Sequence, residues 1–306
     1  MELELVCLGV GAGKTMVYDG EASSAFLLRA RSSPPPEKSS EPCGEGLLLI
    51  DCGLGVTRAC LRHVASLPKL IFISHNHTDH AGELPVVLAV ERTRPGGGRR
   101  TVVAERRVAQ VLKERRLHET TPVDAFAADW VLCEEGQVTP IGHGLAITIV
   151  GPCKHTELCF GFVLHRELEG LEGCKTCYEA ICGFTGDSGF SATLLERLSE
   201  APIILADARQ TGTGEHASFE ELRQWRCRKG YAGHVIIYHY GSLGEAPDNK
   251  DLGEGFHVAK PGDIVARWHA KRPSTGQQAS GDEPQHKRKR DDVINADASA
   301  AHFAKC

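Results

Sequence analysis

The chain lacks any uninterrupted apolar run approaching the roughly eighteen residues of a membrane helix, so no membrane span is expected. It also lacks a basic leader followed by an apolar core: the opening MELELVCLGV carries acidic residues, and no signal peptide is expected. There is no excess of positive charge. Lys and Arg number 35 against 40 Asp and Glu, a net charge of −5, so attraction to nucleic acid would have to come from a local patch. The 12 cysteines are spread irregularly over 306 residues, unlike the dense framework of a short secreted domain. Reduced thiols and an intracellular location follow, cytoplasmic or nuclear. What is present, 41% hydrophobic and 25% charged residues, suits a globular protein with a sizeable core.

Leu3 to Leu8, Ala25 to Arg29 and Leu47 to Ile50 read as short strands, with the Pro- and Ser-rich segment 31–46 as a loop insertion. Helical patterns at Val56 to Ser66, Ala81 to Glu91 and Arg106 to Arg116 alternate with apolar runs at Leu70 to Ile73 and Thr101 to Ala104. From Trp130 to Phe184 the chain is strand-rich, with runs at Leu145 to Val150, Cys159 to Leu164 and Ala180 to Phe184. Helices near Ser191 to Ser199 and Phe219 to Arg228 then flank the strands Ile203 to Ala206 and Val235 to Tyr238. Two such halves predict an α/β fold with two sheets sandwiched between helices. Residues 271–306 lose apolar content and read as a disordered, basic and polar tail.

Residues 74–80 read Ser-His-Asn-His-Thr-Asp-His directly after the apolar Ile71 to Ile73. They leave the C-terminal edge of a strand, where open α/β sheets hold ligands. On an extended turn His75 and His77 share a side and a metal ion, while Asp79 and His80 open the next helix and reach a second ion. Three later residues also follow apolar strands: His155, Asp187 and His239. The count closes with His75, His77 and His155 on one zinc, Asp79, His80 and His239 on the other, and Asp187 bridging. Asp51, at the end of another strand, is placed to orient a ligand histidine through its second ring nitrogen.

This order, strand-Asp51, His75-x-His77-x-Asp79-His80, then His155, Asp187 and His239, resembles the metallo-β-lactamase superfamily over residues 1 to about 267. The resemblance implies a four-layer αββα sandwich and a metallo-β-lactamase-like hydrolase domain over residues 1–270. Within the superfamily the chain is most similar to the ribonuclease Z and phosphodiesterase branch. There the third histidine is followed six residues later by glycine and an aromatic, as His155 is by Gly161-Phe162. The opening Leu8-Gly-Val-Gly-Ala-Gly with Ser23-Ser24 resembles that branch's first hairpin, and His216 lies 23 residues before His239 as the branch's catalytic histidine precedes its last ligand. Two departures stand out. Only 31 residues separate His155 from Asp187, too few for a tRNA-grasping arm, and the branch's His-Glu-Ala-Thr segment is replaced by Ala206-Asp207-Ala208-Arg209.

The resemblance implies a hydrolase with two zinc ions, manganese or iron being alternatives. Two such ions acidify a shared water and hold a phosphate oxygen in line for its attack. Asp79 would steer that nucleophile, and His216, oriented by Asp207, would protonate the leaving oxygen; the other reading of His216 is a loop neighbour of the helix cap Ser218. The expected substrate is a phosphodiester, in RNA or a nucleotide, with a homodimer allowed. Hydrolysis of a thioester or lactone, or non-catalytic binding of nucleic acid, are the alternatives on the same fold. Gly11-Ala-Gly13-Lys14-Thr15 is not a P-loop, because position 8 is leucine where a Walker motif needs glycine. Cys174-Lys-Thr-Cys177 reads as a reduced turn, half a zinc site without its second pair. Nine basic residues between Arg92 and Arg116 either track a phosphate backbone or form a solvated face, and Lys287-Arg-Lys-Arg290 resembles a nuclear localisation signal.

Overall fold

The structure, a computed structural model, describes residues 2–13, 18–31, 44–94, 98–118, 128–168 and 177–269. Most of the 31–46 segment, Cys174 and the 271–306 tail lie outside the described residues. Leu-, Val- and Ile-rich runs become the strands of two sheets, the central ones such as 25–30, 47–50 and 203–208 buried on both faces. The first sheet is formed by β1 (Glu2–Gly9), β2 (Ala25–Arg31), β3 (Glu45–Ile50), β4 (Leu70–Phe72), β5 (Arg100–Glu105), β6 (Ala128–Cys133) and β15 (Ile264–His269). Its order is β15-β1-β2-β3-β4-β5-β6. The second is formed by β7 (Val138–Gly142), β8 (Leu145–Val150), β9 (Gly161–Glu167), β10 (Tyr178–Phe184), β11 (Ile203–Arg209), β13 (His234–Tyr238) and β14 (Phe256–Val258), with the short β12 (Ala217–Ser218) on β11. Its order is β14-β13-β11-β10-β9-β8-β7.

The inner faces meet through aromatic rings. Phe26 and Phe72 of the first sheet lie against Phe184, Tyr238 and Phe162 of the second, with Phe72 and Phe162 centroids 4.4 Å apart. Helices pack on the strands: α1 (Val56–Cys60) on β1, α4 (Arg106–Val111) on β5, α5 (Ala192–Leu198) on β10 and α6 (Phe219–Lys229) on β11. The result is a four-layer αββα sandwich. Local chemistry fixes helix ends: Ser218 and Glu221 form a capping box on α6, which closes at Gly230 in the left-handed region. No helix among the described residues is long and apolar enough to cross a membrane.

Several boundaries differ from the sequence reading. The helix expected at 56–66 stops at Cys60. The helix expected at 81–91 is two helices, α2 (Thr78–Ala81) and α3 (Leu84–Thr93), broken at Gly82-Glu83. There Glu83 turns its carboxylate to cap α1, accepting from the Gly55 and Thr57 amides at 2.7 and 2.8 Å, and Pro85 starts the next helix. The strand expected at 159–164 runs 161–167, because the Cys159 carbonyl is spent on Cys153 N–H and the Phe160 amide on the Ser74 carbonyl. β2 reaches Arg31 and β3 starts at Glu45, which trims the expected 31–46 loop at both ends. β15 belongs to no strand expected from the sequence, yet it closes the first sheet beside β1.

Candidate metal centre

The site lies where strands of both sheets end. β3 delivers Asp51, β4 the 74–80 segment, β8 the His155 loop, β10 Asp187 and β13 His239. After β4 the chain stays extended to His77, which caps α2 at φ −64°, ψ 153°, so Asp79 and His80 sit in that helix's first turn. Asp51 ties this segment down. Its carboxylate accepts from the Ser74 amide at 2.8 Å, the Ser74 hydroxyl at 2.9 Å and His80 Nδ1 at 2.8 Å. Asp51 and His239 both adopt left-handed backbone, φ 62° and 58°, a conformation that costs an L-residue about 1–2 kcal/mol and here persists at two strand ends facing the same cluster. Gly53 is required by close approach: a Cβ there would lie 1.8 Å from the Asp79 carbonyl oxygen. Arg116 braces the outer side, donating to Asn76 Oδ1 at 3.0 Å and to the Asn76 carbonyl.

Two groups of donor atoms, each within 4.8 Å of one another, are His75 with His77 and His155, and Asp79 with His80 and His239; Asp187 joins His75 and His80, and also His216 and His239. Asp187 Oδ1 lies 3.3 Å from His80 Nε2 and its Oδ2 3.3 Å from His239 Nε2. His75 Nε2, His80 Nε2, His155 Nδ1 and Asp187 Oδ1 are sealed from solvent without a hydrogen-bond partner. Buried polar atoms rarely go unpaired, and unpaired imidazole nitrogens converging with a carboxylate are the donor set of a zinc, manganese or iron site. Burial pushes His75 well below the ordinary histidine range and His239 down to about 3, so both rings are neutral at pH 7 and offer lone pairs. At His80 burial opposes the proton, but Asp187 and Asp51 outweigh it and hold the ring well above that range. The residues therefore fit a metal.

The His216–Asp207 pair stands beside these groups. Asp207 Oδ2 accepts from the Ser188 amide at 2.9 Å and from His216 Nδ1 at 2.8 Å. The His216 ring stacks on His239 at 5.3 Å and 25° and lies 5.7 Å from His155. Burial pushes the Asp207 carboxyl up, and Asp207 in turn lifts His216 above its ordinary value although burial opposes this, so a proton is retained between them.

Every residue singled out from the sequence thus comes to one place: His75, His77, Asp79, His80, His155, Asp187, His239, Asp51, His216 and Asp207. Three others join them. Ser24 Oγ lies 2.9 Å from His239 Nδ1 and Ser74 Oγ 3.0 Å from His75 Nδ1, each orienting a ring. The adjacency of Ser74 to His75, and the Ser23-Ser24 pair in the first hairpin, were the signals available. Glu215 groups with His155 and His216, and as one acid in a polar loop it carried no signal. Within the basic 92–116 stretch, Arg94 and Arg100 pair with Glu91, Arg99 with Asp129, Arg106 with Glu134 and Arg107 with Glu105. Gly9 serves packing, since a Cβ there would meet the Ser23 carbonyl oxygen at 2.2 Å.

Two facing sheets with histidines and aspartates gathered at their strand ends define a metallo-β-lactamase-fold protein. The B. subtilis metallo-beta-lactamase fold protein YhfI superimposes with a TM-score of 0.61 at 18% identity, over 87% of this chain and 99% of that one. A diphosphatase from the PhnP family gives 0.59 at 16% identity over 88% and 97%, and human tRNase Z, short form, gives 0.52 at 14% over 89% and 100%. At such identities the likeness is one of fold. The chain belongs to the family of the anti-Pycsar protein Apyc1, which matches residues 42–260. No curated protein sequence matches it.

Proposed function

We propose that this protein is a dinuclear, zinc-dependent phosphodiesterase acting on RNA or a nucleotide diester. The observation that carries this reading is the convergence of seven His and Asp side chains, four of them with a sealed and unpartnered donor atom, beside a hydrogen-bonded His216–Asp207 pair. His75, His77 and His155 would hold one ion, Asp79, His80 and His239 the other, and the two Asp187 oxygens would face one each. Bound there, the ions supply Lewis acidity toward a phosphoryl oxygen and acidify water.

The remaining work falls to the chain. Asp51, Ser74 and Ser24 fix which nitrogen of His80, His75 and His239 faces inward. Asp79, with its side chain 15% exposed, is the carboxylate ligand that reaches solvent, and it accepts a hydrogen bond from the attacking water. His216, whose hold on a proton Asp207 strengthens, delivers it to the departing oxygen from the nitrogen that Asp207 does not occupy.

Elemental analysis together with bis(p-nitrophenyl) phosphate hydrolysis tests the reading, comparing wild type with His77→Ala. Two metals per chain and turnover lost in the variant are expected. Two metals with no phosphodiester turnover would remove the reaction, and no metal would remove the site.

A further inference from the structure

β11 ends Ala206-Asp207-Ala208-Arg209, where the resembled branch has threonine in the last place. Arg209 lies two residues beyond Asp207 and so projects from the same face of the strand. The β11–β12 register sets it opposite Ser218, two residues after His216. Arg209 thus flanks the pair assigned to proton delivery. Its positive charge counts against protonation of both His216 and His239, as expected of a guanidinium near the two rings.

The residue is only partly exposed, and its Nε is shut away from solvent without an acceptor. Among the other partly or fully buried arginines, Arg29 has Glu4, Arg100 has Glu91 and Arg166 has Glu179, while Arg116 is taken up by Asn76 and Arg226 by the Gly233 carbonyl and the Phe256 ring. Arg209 has no carboxylate partner among the described residues. Nearby cations are committed elsewhere, Arg116 to Asn76 and Arg107 to Glu105, while Lys154 is exposed on its loop. A guanidinium N–H shut off from water without an acceptor is unfavourable until an anion arrives, and the planar fork of the group matches phosphate oxygens.

We infer that Arg209 binds a non-bridging oxygen of the substrate's phosphate, so that the site selects anionic phosphate esters over neutral esters. This rests on the phosphodiesterase reading and adds the residue that recognises the anion.

The test uses the zinc-loaded full chain with Arg209→Met and Arg209→Lys, and inorganic phosphate as probe. Calorimetric phosphate binding, and KM and kcat for bis(p-nitrophenyl) phosphate, are measured beside metal content and Tm. With metal content unchanged, Arg209→Met should weaken phosphate binding and raise KM roughly ten-fold or more, with a smaller change in kcat, and Arg209→Lys should recover part of the loss. Unchanged phosphate affinity and KM in Arg209→Met would overturn the inference, as would absence of phosphate binding by wild type. Should Arg209→Met fail to fold, Arg209→Lys decides: weakened binding supports the assignment, and wild-type binding and KM overturn it. Wild type that binds phosphate through Arg209 but cleaves no diester would refute the phosphodiesterase reading and leave the anion site standing. Diester cleavage indifferent to Arg209 would do the reverse.

Discussion

Replacing Asp51 by Asn alters one atom in a fully enclosed site and should be felt on the far side of His80. The backbone is not the reason, because Asn tolerates left-handed φ about as well as Asp and can keep the 62° conformation. The amide oxygen can still accept from the Ser74 N–H, now made at 2.8 Å. Its nitrogen is a donor, however, and meets two groups that were donating to Asp51, the Ser74 hydroxyl and His80 Nδ1. The hydroxyl can rotate. With an ion at its Nε2, His80 would hold a single proton, on Nδ1, and could comply only by moving it to Nε2, the nitrogen that faces Asp187 and the cluster. Keeping the old tautomer leaves two donors face to face at about 1–3 kcal/mol; switching it removes a lone pair from the proposed second ion's site. The expected result is a loss of about 10–100-fold in zinc affinity with destabilisation of no more than about 3 kcal/mol. Competition with a chromophoric chelator measures the first and urea unfolding the second. Zinc affinity equal to wild type would refute the argument that Asp51 acts through the His80 tautomer.

Gly53→Ala would drive a methyl into the Asp79 carbonyl at 1.8 Å and Ser23 Oγ at 2.5 Å, both in tight structure, so a loss of about 3 kcal/mol or more is expected; an unchanged urea midpoint would contradict it. Glu4 is fully buried between Arg29 at 2.7 Å and Arg267 at 3.1 Å, and Glu4→Ala should cost about 3–5 kcal/mol at pH 7. Burial alone would raise its pKa, but Arg29 with Arg267 and Arg31 holds it below 4.5. Its contribution is therefore complete above pH 4.5 and fades as pH falls through the lower folded value, so the gap between wild type and Glu4→Ala in urea unfolding should narrow on acidification. His216→Ala should lower kcat about 10²–10⁴-fold with metal content unchanged, and a variant that turns over at the wild-type rate would strip His216 of its proton-donor role. A chelator should lower the Tm of the zinc-loaded protein, as removal of a native-state ligand must; an unchanged melting curve would count against tight metal binding.

The metal-ligand cluster was legible because its residues announce themselves locally: His155, Asp187 and His239 follow apolar runs, and His75, His77, Asp79 and His80 crowd into six positions. Residues whose value is purely relational were harder to see. Glu83 looks like a helix-interior acid and instead ends one helix and caps another, because only the fold brings Gly55 and Thr57 to it. β7 carries Pro140, which suppresses a strand reading, yet it lies at a sheet edge where a missing N–H is tolerated. β15 has the composition of a strand, Ile-Val-Ala-Arg-Trp-His, but its partner is β1, and no local pattern encodes pairing across nearly the whole described chain.

The place of β15 sets a timetable for the newborn protein. β1 leaves the ribosome before the other strands of the two sheets, and residues 264–269, which cover its outer edge, follow roughly 260 positions later. At about 5–20 residues per second that edge waits some 13–50 s with its hydrogen-bonding groups open on one side. Glu4, on the same strand, spends that interval without Arg267. An open strand edge is a template for pairing with other chains. During synthesis, then, β1 is where a holdase chaperone would give this fold the most shelter.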